Sequence, residues 1–264
     1  MIQHPEDTVR VAIADGVAEI RFNRPGVLNA LDLDTAFRFQ AAVEAVTADP
    51  TVRVIVLAAE GRAFIAGGDL AYFRDTADRP AAADLLIDAI HAPLLRLAQD
   101  PRPVLASLKG PVAGGGLGVA LSADLAIAAD DVRFAVAYLA VAASPDCSTS
   151  WNLVHVLGLR KAMELALLGD SVNGEEALRL GLVNRLVSRE RLEEETRALA
   201  LRLAAQSAPA MGRTKALLRD AVTRPLPQQL DAEKRAFAEG AATADFSEAL
   251  DAFFTKRKPQ FAVG

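Results

Sequence analysis

The chain is poor in cysteine, in aromatic residues and in long apolar runs. Its single cysteine among 264 residues cannot form an internal disulfide, which is typical of proteins from a reducing compartment. No stretch approaches the ~20 consecutive apolar residues that a membrane span needs. The first ten residues, MIQHPEDTVR, lack the apolar core of a secretion signal. We therefore expect a cytoplasmic protein with no membrane partner.

Positive charge is not in excess either. The chain carries 29 basic and 34 acidic residues, for a net charge of −5 and a pI near 5.3. Proteins that bind nucleic acid usually show a basic patch or stripe, so we expect no nucleic-acid partner. Apolar residues make up 52% and charged residues 24%, which is the composition of a globular protein. The length suffices for one large domain or two small ones.

The first half of the chain predicts strands that alternate with helices. Residues 8–23 alternate apolar and polar side chains around Asp15-Gly16, which predicts a hairpin. Apolar runs predict strands at 52–59, 103–110 and 124–130, and the stretches between predict helices at 32–48, 82–99 and 115–122. Strand, helix and strand at this spacing favour an α/β fold with crossover connections.

The second half predicts mainly helices. From Ser148 onward the apolar residues recur at helical spacing, with one strand-like break at 181–187. No repeat or linker-like stretch separates the two halves. We therefore predict one core over residues 1–200. A helical C-terminal region over 201–264 would cover the site, a subunit interface or both.

Two glycine-bearing stretches follow predicted strands. They read EGRAFIAGGDL at 60–70 and KGPVAGGGLGVAL at 109–121. Neither matches a phosphate loop or a dinucleotide fingerprint. Glycine allows close approach of the backbone, so two such loops are able to aim one N–H each at the same negative oxygen. Tight packing of a strand against a helix is the alternative.

A third stretch, ASPDCSTSW at 143–151, places Asp146 just before a predicted helix. Aspartate is a favoured N-cap residue, so Asp146 is either the cap of this helix or a group that carries a proton. The local sequence fits both readings. His91, in DAIHAPLL, is likewise either a proton carrier or a partly buried helix residue near Pro93.

These stretches, taken in order, resemble the crotonase superfamily of enoyl-CoA hydratases and isomerases. The similar segments are FNRPGVLNALD at 22–32, both glycine loops, LGDSVNGEEALRLGLVNRLV, and AFFTKRKPQF at 252–261. The resemblance implies a crotonase-like spiral of ββα turns with a helical C-terminal extension. It also implies an acyl-CoA thioester as substrate and a homotrimer or a hexamer built as a dimer of trimers.

The resemblance further implies roles for single residues. The N–H groups of Gly68 and Gly115 would hold the thioester oxygen, and donors of this kind stabilise an enolate by about 3–4 kcal/mol each. The positions implied to bind the substrate or its CoA are Arg24, Ala66, Gly68, Asp69, Leu70, Tyr138, Phe253 and Lys256. Of these, Phe253 and Lys256 match positions that reach the CoA of a neighbouring subunit. A C-terminal lysine is otherwise simply solvated.

Two positions depart from the hydratases of this family. Their two catalytic glutamates fall where this chain has Gly118 and Tyr138. SPDCSTSW instead resembles the segment that carries a catalytic aspartate in two other branches. One branch contains isomerases, and the other contains chlorobenzoyl-CoA dehalogenases with a nucleophilic aspartate, a histidine at the position of His91 and an aromatic residue at that of Tyr138.

The sequence therefore favours an acyl-CoA isomerase in which Asp146 moves the proton. The alternatives are hydratase-like chemistry, a dehalogenase or hydrolase with Asp146 as nucleophile and His91 as base, and an acyl-CoA binder without catalysis. We expect no metal and no redox cofactor, since CoA enters as part of the substrate.

Overall fold

The computed structural model describes residues 7–261. Its strands, in chain order, are β1 Val9–Ala14, β2 Val17–Phe22, β3 Val54–Ala59, β4 Val104–Leu108, β5 Pro111–Ala113, β6 Leu125–Ala129, β7 Arg133–Ala135, β8 Val172–Asn173 and β9 Arg185–Val187. Its helices are α1 Leu33–Ala48, α2 Leu70–Arg74, α3 Arg79–Gln99, α4 Gly115–Leu121, α5 Thr149–Leu168, α6 Gly174–Leu180, α7 Leu192–Ala204, α8 Ala208–Ala221, α9 Leu226–Ala241 and α10 Ala244–Phe254. The predicted α/β class is confirmed.

The main sheet has six strands in the order β1-β2-β3-β4-β6-β9. β1 and β2 form the predicted antiparallel hairpin, and every later neighbour pair is parallel. Asp15 and Gly16 turn the hairpin with φ of 54° and 74°, the left-handed region that Asp and Gly tolerate best. Helices lie in the connections between the parallel strands of this sheet, as the sequence predicts.

A second, smaller sheet was not predicted. It has three strands in the order β5-β7-β8, each only two or three residues long. Runs this short carry no alternation that a sequence pattern can reveal. The sheet matters because β5 leads directly into the second glycine loop.

The hydrophobic core fills both faces of the main sheet. One face packs Ile20, Phe22 and Leu57 against Phe39 of α1 and other apolar side chains. The other face is covered by α7, whose Leu199 lies in a second cluster. The boundary that we placed between residues 200 and 201 lies inside α7, and the division into two regions stays a prediction.

The last three helices behave differently. α8, α9 and α10 each bury a single residue, and residues 255–261 are not helical. α8 is tied to the core by Lys215, whose ammonium lies 2.8 Å from a carboxylate oxygen of Asp124. The same ammonium donates to the carbonyls of Leu97 and Arg102 at 3.0 and 2.9 Å. No helix within residues 7–261 is both long enough and apolar enough to cross a membrane.

Candidate active site

The first glycine loop is held by a one-residue bridge to Leu31. Leu31 N–H donates to the Gly67 carbonyl, and Asp69 N–H donates to the Leu31 carbonyl, both at 2.8 Å. The bridge therefore uses the residues on each side of Gly68. Among the backbone hydrogen bonds of residues 7–261, the Gly68 N–H has no acceptor. This N–H is a fixed donor that is available to a ligand.

The second glycine loop lies directly beside the first. A Cβ built on Gly114 would lie 3.4 Å from the Cα of Gly67, so a side chain here would crowd the neighbouring loop. Gly114 has φ of 51° with ψ of −129°, a conformation that essentially only glycine adopts. Gly115 follows as the first residue of α4, where an N–H has no partner inside the helix. The fold thus brings together the two donors that the sequence singled out.

The carboxylate of Asp146 lies next to Gly115. A Cβ built on Gly115 would lie 3.6 Å from Asp146 Oδ1. The side chain does not cap α5, because the N-cap residue is Ser148 and no side chain accepts a cap hydrogen bond there. The backbone carbonyl of Asp146 accepts from Thr149 N–H at 2.9 Å instead. The cap reading of Asp146 is therefore wrong.

The turn after Asp146 explains how the carboxylate comes to lie there. Cys147 and Ser148 have φ of 48° and 63°, an uncommon left-handed conformation for residues other than glycine. Such strain persists only where the surroundings hold it, and it is often found at functional sites. His91 helps to stabilise this turn, because its Nε2 accepts a hydrogen bond from Cys147 N–H at 3.2 Å.

That contact indicates which ring nitrogen of a neutral His91 carries the proton. Accepting from Cys147 N–H occupies the Nε2 lone pair and, in the neutral ring, leaves the proton on Nδ1. The predicted site residue His91 therefore lies in the Asp146 region and contacts the backbone of its turn.

Two polar side chains surround the Asp146 carboxylate. The Tyr138 hydroxyl donates to Asp146 Oδ1. Burial raises the pKa of the Tyr138 phenol, and the negative charge of Asp146 raises it further. Burial likewise raises the pKa of the Cys147 thiol, with added contributions from the charge of Asp146 and a hydrogen bond to it. Both groups keep their protons, and the Tyr138 hydroxyl is a donor to the carboxylate.

Gly118 is closed to any side chain. A Cβ built there would lie 2.1 Å from the Cys147 carbonyl oxygen and 2.7 Å from Thr149 Oγ1. The first of these atoms is backbone, so a larger residue requires the whole 146–149 turn to shift. The absence of a side chain at Gly118 therefore allows the 146–149 turn to pack here, with Asp146 beside Gly115.

Arg24 links the first loop to α1. Its guanidinium lies 3.1 Å from Asp69 and 3.0 Å from Asp32. Each carboxylate also caps a helix: Asp32 accepts from Thr35 N–H, and Asp69 accepts from Ala71 N–H. Arg24 and Asp69 therefore lie together, and both ion pairs of Arg24 are made with carboxylates of its own chain.

The other predicted binding residues divide into two groups. Ala66 and Leu70 flank Gly68, with Ala66 half-buried and Leu70 exposed. Phe253 lies in the last turn of α10 and Lys256 two residues beyond its end, and both are exposed to solvent. Within residues 7–261 no cluster of three or more His, Cys, Asp or Glu side chains is arranged to hold a metal ion.

The paired glycine loops match a known family. The model of the enoyl-CoA hydratase/isomerase family matches residues 12–263. The chain belongs to this family. A solved enoyl-CoA hydratase from Polaromonas sp. JS666 superposes with a TM-score of 0.90 at 29% identity, covering 96% of this chain and 99% of that one. The expected crotonase fold is thereby confirmed.

Curated relatives within the family differ in chemistry. The 1,2-epoxyphenylacetyl-CoA isomerase of Escherichia coli K12 is 34% identical over 94% of this chain and 96% of its own length. The 4-chlorobenzoyl coenzyme A dehalogenase-2 of an Arthrobacter species is 30% identical over 100% of this chain and 96% of its own. The chain is therefore an enzyme of the enoyl-CoA hydratase/isomerase type.

Sequence reasoning missed the contacts that organise the site. It named Tyr138 only as an aromatic pocket position and gave no role to Cys147 or to Asp32. The bond from Tyr138 to Asp146 spans eight residues across an irregular turn, so no regular spacing announces it. The helix-cap pattern of Asp32 was visible, since Thr35 follows three residues later, but its pairing with Arg24 depends on the fold.

Proposed function

We propose that this enzyme is an acyl-CoA isomerase that uses Asp146 as its proton carrier. The observation that carries the proposal is the position of the Asp146 carboxylate beside Gly115, free of any helix cap. The carboxylate takes a proton from one carbon of an enoyl-CoA-type thioester. The electron pair left behind moves onto the thioester oxygen, which accepts from the N–H groups of Gly68 and Gly115. The proton then returns to another carbon, and the double bond has shifted.

The surroundings of Asp146 support isomerisation over hydration. Adding water across a double bond requires one group that activates water and another that protonates carbon. Gly118 has no space for a side chain, and Tyr138 is a phenol whose pKa is raised by burial. A shuttle between two carbons needs only one carboxylate.

We propose that the substrate, including its CoA part, binds at the residues named from the family resemblance. These are Arg24, Ala66, Asp69, Leu70 and Tyr138 within one chain, and Phe253 and Lys256 from a neighbouring chain. The exposure of Phe253, at 76%, supports a contact outside its own chain. The proposed chemistry includes no metal or redox group, because the proton moves only between two carbons of the substrate and the carboxylate of Asp146.

A homotrimer, or a hexamer of two trimers, is part of this proposal. α5 exposes a set of large apolar side chains along its length, and an apolar surface of this kind favours contact between subunits. The exposed members are Trp151, Val154, Val156, Leu159, Met163, Leu167 and Leu168. Light scattering should give a mass that is a multiple of three chains. As a separate part of the proposal, we expect the protein to be cytoplasmic.

The deciding experiment is the variant Asp146→Asn. Asparagine keeps the shape of the side chain and accepts from Tyr138, but it cannot take up a proton at neutral pH. We expect turnover of an enoyl-CoA ester to fall by at least about a hundredfold. Affinity for an unreactive thioester should change little, since the oxyanion donors are backbone N–H groups that the substitution leaves in place. Retained turnover would refute the assignment of Asp146.

A nucleophilic role for Asp146 is the second candidate, favoured by the identity to a dehalogenase. It would require an aryl ester on Asp146 and a base to activate water. A single turnover in heavy-oxygen water distinguishes the two, because only the ester pathway labels Asp146. The occupied Nε2 of His91 supports the isomerase, since that lone pair already accepts from Cys147 N–H. A binder without catalysis would hold thioesters and convert none of a broad panel.

A further inference from the structure

Tyr138 makes contacts that a pocket wall does not need. It begins a short 3-10 helix, Tyr138–Val141, and only 7% of its surface is exposed. Besides its bond to Asp146 Oδ1, the hydroxyl lies 3.3 Å from Thr149 Oγ1 and 3.4 Å from the Asp146 carbonyl oxygen. The phenol thus meets the carboxylate, the backbone that carries it and the first residue of α5.

The hydroxyl, rather than the ring, is the informative part. A phenylalanine would fill the same space without the cost of burying a polar group. A buried hydroxyl is retained at low cost only where it finds partners, and here the main partner is the carboxylate that we propose as the proton carrier. Because burial and the charge of Asp146 raise its pKa, the Tyr138 phenol keeps its proton and donates it to the hydrogen bond with Asp146.

We infer that Tyr138 is a positioning residue for Asp146, which holds Oδ1 in place beside Gly115 and stabilises the charged carboxylate that takes the substrate proton. The inference rests on the proposed function. A hydrogen bond donated to a carboxylate favours its charged form, and the same bond restricts rotation of the side chain. Without it the carboxylate loses both its fixed orientation and a contact specific to its charged state.

The other groups around the carboxylate remain when Tyr138 is changed. They are the Cys147 thiol, which lies with Asp146 Oδ1 next to Gly115, and His91, which accepts a hydrogen bond from the backbone of the same turn. Thr149 Oγ1 faces the phenol from α5. A change at Tyr138 therefore removes one donor and leaves the rest of the turn in place.

The test is Tyr138→Phe with Tyr72→Phe as its control. The chain has only these two tyrosines, and the Tyr72 hydroxyl lies 3.4 Å from the carbonyl of Ala82. We expect Tyr138→Phe to lower kcat by roughly tenfold to a hundredfold, where the upper value is the cost of misplacing a catalytic group by about 1 Å, while KM changes less than about twofold. The acid limb of its pH–rate profile should move to higher pH. Tyr72→Phe should match the unmodified enzyme in all three quantities.

Binding of an unreactive thioester, measured by calorimetry, shows that each variant is folded and has an intact site. A higher KM or weaker binding with kcat unchanged would overturn the inference and leave Tyr138 a pocket wall. A lower kcat with an unmoved acid limb would overturn it as well. Asp146→Asn, assayed alongside, separates the two claims. If its turnover collapses while Tyr138→Phe behaves like the unmodified enzyme, only the role of Tyr138 fails; if Asp146→Asn stays active, the proposed function itself fails.

Discussion

The sheet region and the last three helices use their apolar residues in opposite ways. All six residues of β3 are buried, whereas α8, α9 and α10 bury one residue each. Phe39 has no exposed surface, while Phe253 and Phe254 are each 76% exposed. The core is therefore complete by the end of α7. The apolar side chains of the later helices are available for contacts beyond their own chain.

The largest difference between these regions should appear with Phe39→Ala. The Phe39 ring packs against Phe22 with centroids 5.1 Å apart, and its removal leaves a cavity in the core. We expect the free energy of unfolding to fall by about 3–5 kcal/mol, as for other buried phenylalanines. Chemical denaturation at one protein concentration measures it, with Phe254→Ala as the exposed control. Equal losses in the two variants would contradict the contrast between the regions.

A smaller loss of stability is expected for Gly118→Ala, which tests whether the packing at Gly118 holds the 146–149 turn in place. The new methyl group meets the Cys147 carbonyl, so we expect about 1–3 kcal/mol of destabilisation together with lower turnover as Asp146 shifts. Thermal melting and turnover are measured together. Gly26→Ala is the control, because a Cβ there meets no atom within 4 Å. A fully active and fully stable Gly118→Ala would show that the turn is free to move.

The smallest effect on stability is expected for Phe253→Ala. Because this ring is so exposed, it contributes little to the fold of its own chain. We therefore expect the free energy of unfolding to change by no more than about 0.5 kcal/mol. Affinity for a CoA thioester should fall nonetheless, if the ring reaches a neighbouring site as proposed. Calorimetry with an unreactive thioester measures this, with Leu226→Ala as an exposed apolar control. Unchanged affinity would remove Phe253 from the binding site.

The regular parts of the fold were predictable because regular patterns specify them. The hairpin at Asp15-Gly16 and the buried strand β3 follow from alternation and from an apolar run of the right length. The strands β5, β7 and β8 are too short to show any pattern. Their pairing depends on contacts between distant parts of the chain.

The site divides in the same way. The glycine loops were recognisable, since their conformations exclude other residues at Gly114. Whether Asp146 caps a helix was not decidable, because the answer depends on the left-handed backbone of Cys147 and Ser148. An aspartate before a helix usually serves as a cap. Here the helix begins two residues later than that pattern suggests.

The ion pairs of Arg24 have a consequence for how its variants should be interpreted. One guanidinium joins Asp32 and Asp69, and these two carboxylates begin α1 and α2. Substituting Arg24 would therefore loosen two helix starts at once, and one of them directly follows Gly68. A weaker thioester affinity in such a variant would combine loss of the proposed ligand contact of Arg24 with displacement of the proposed oxyanion donor Gly68. Arg24 pairs with both helix starts, so the affinity measured for an Arg24 variant reports ligand binding and loop geometry together.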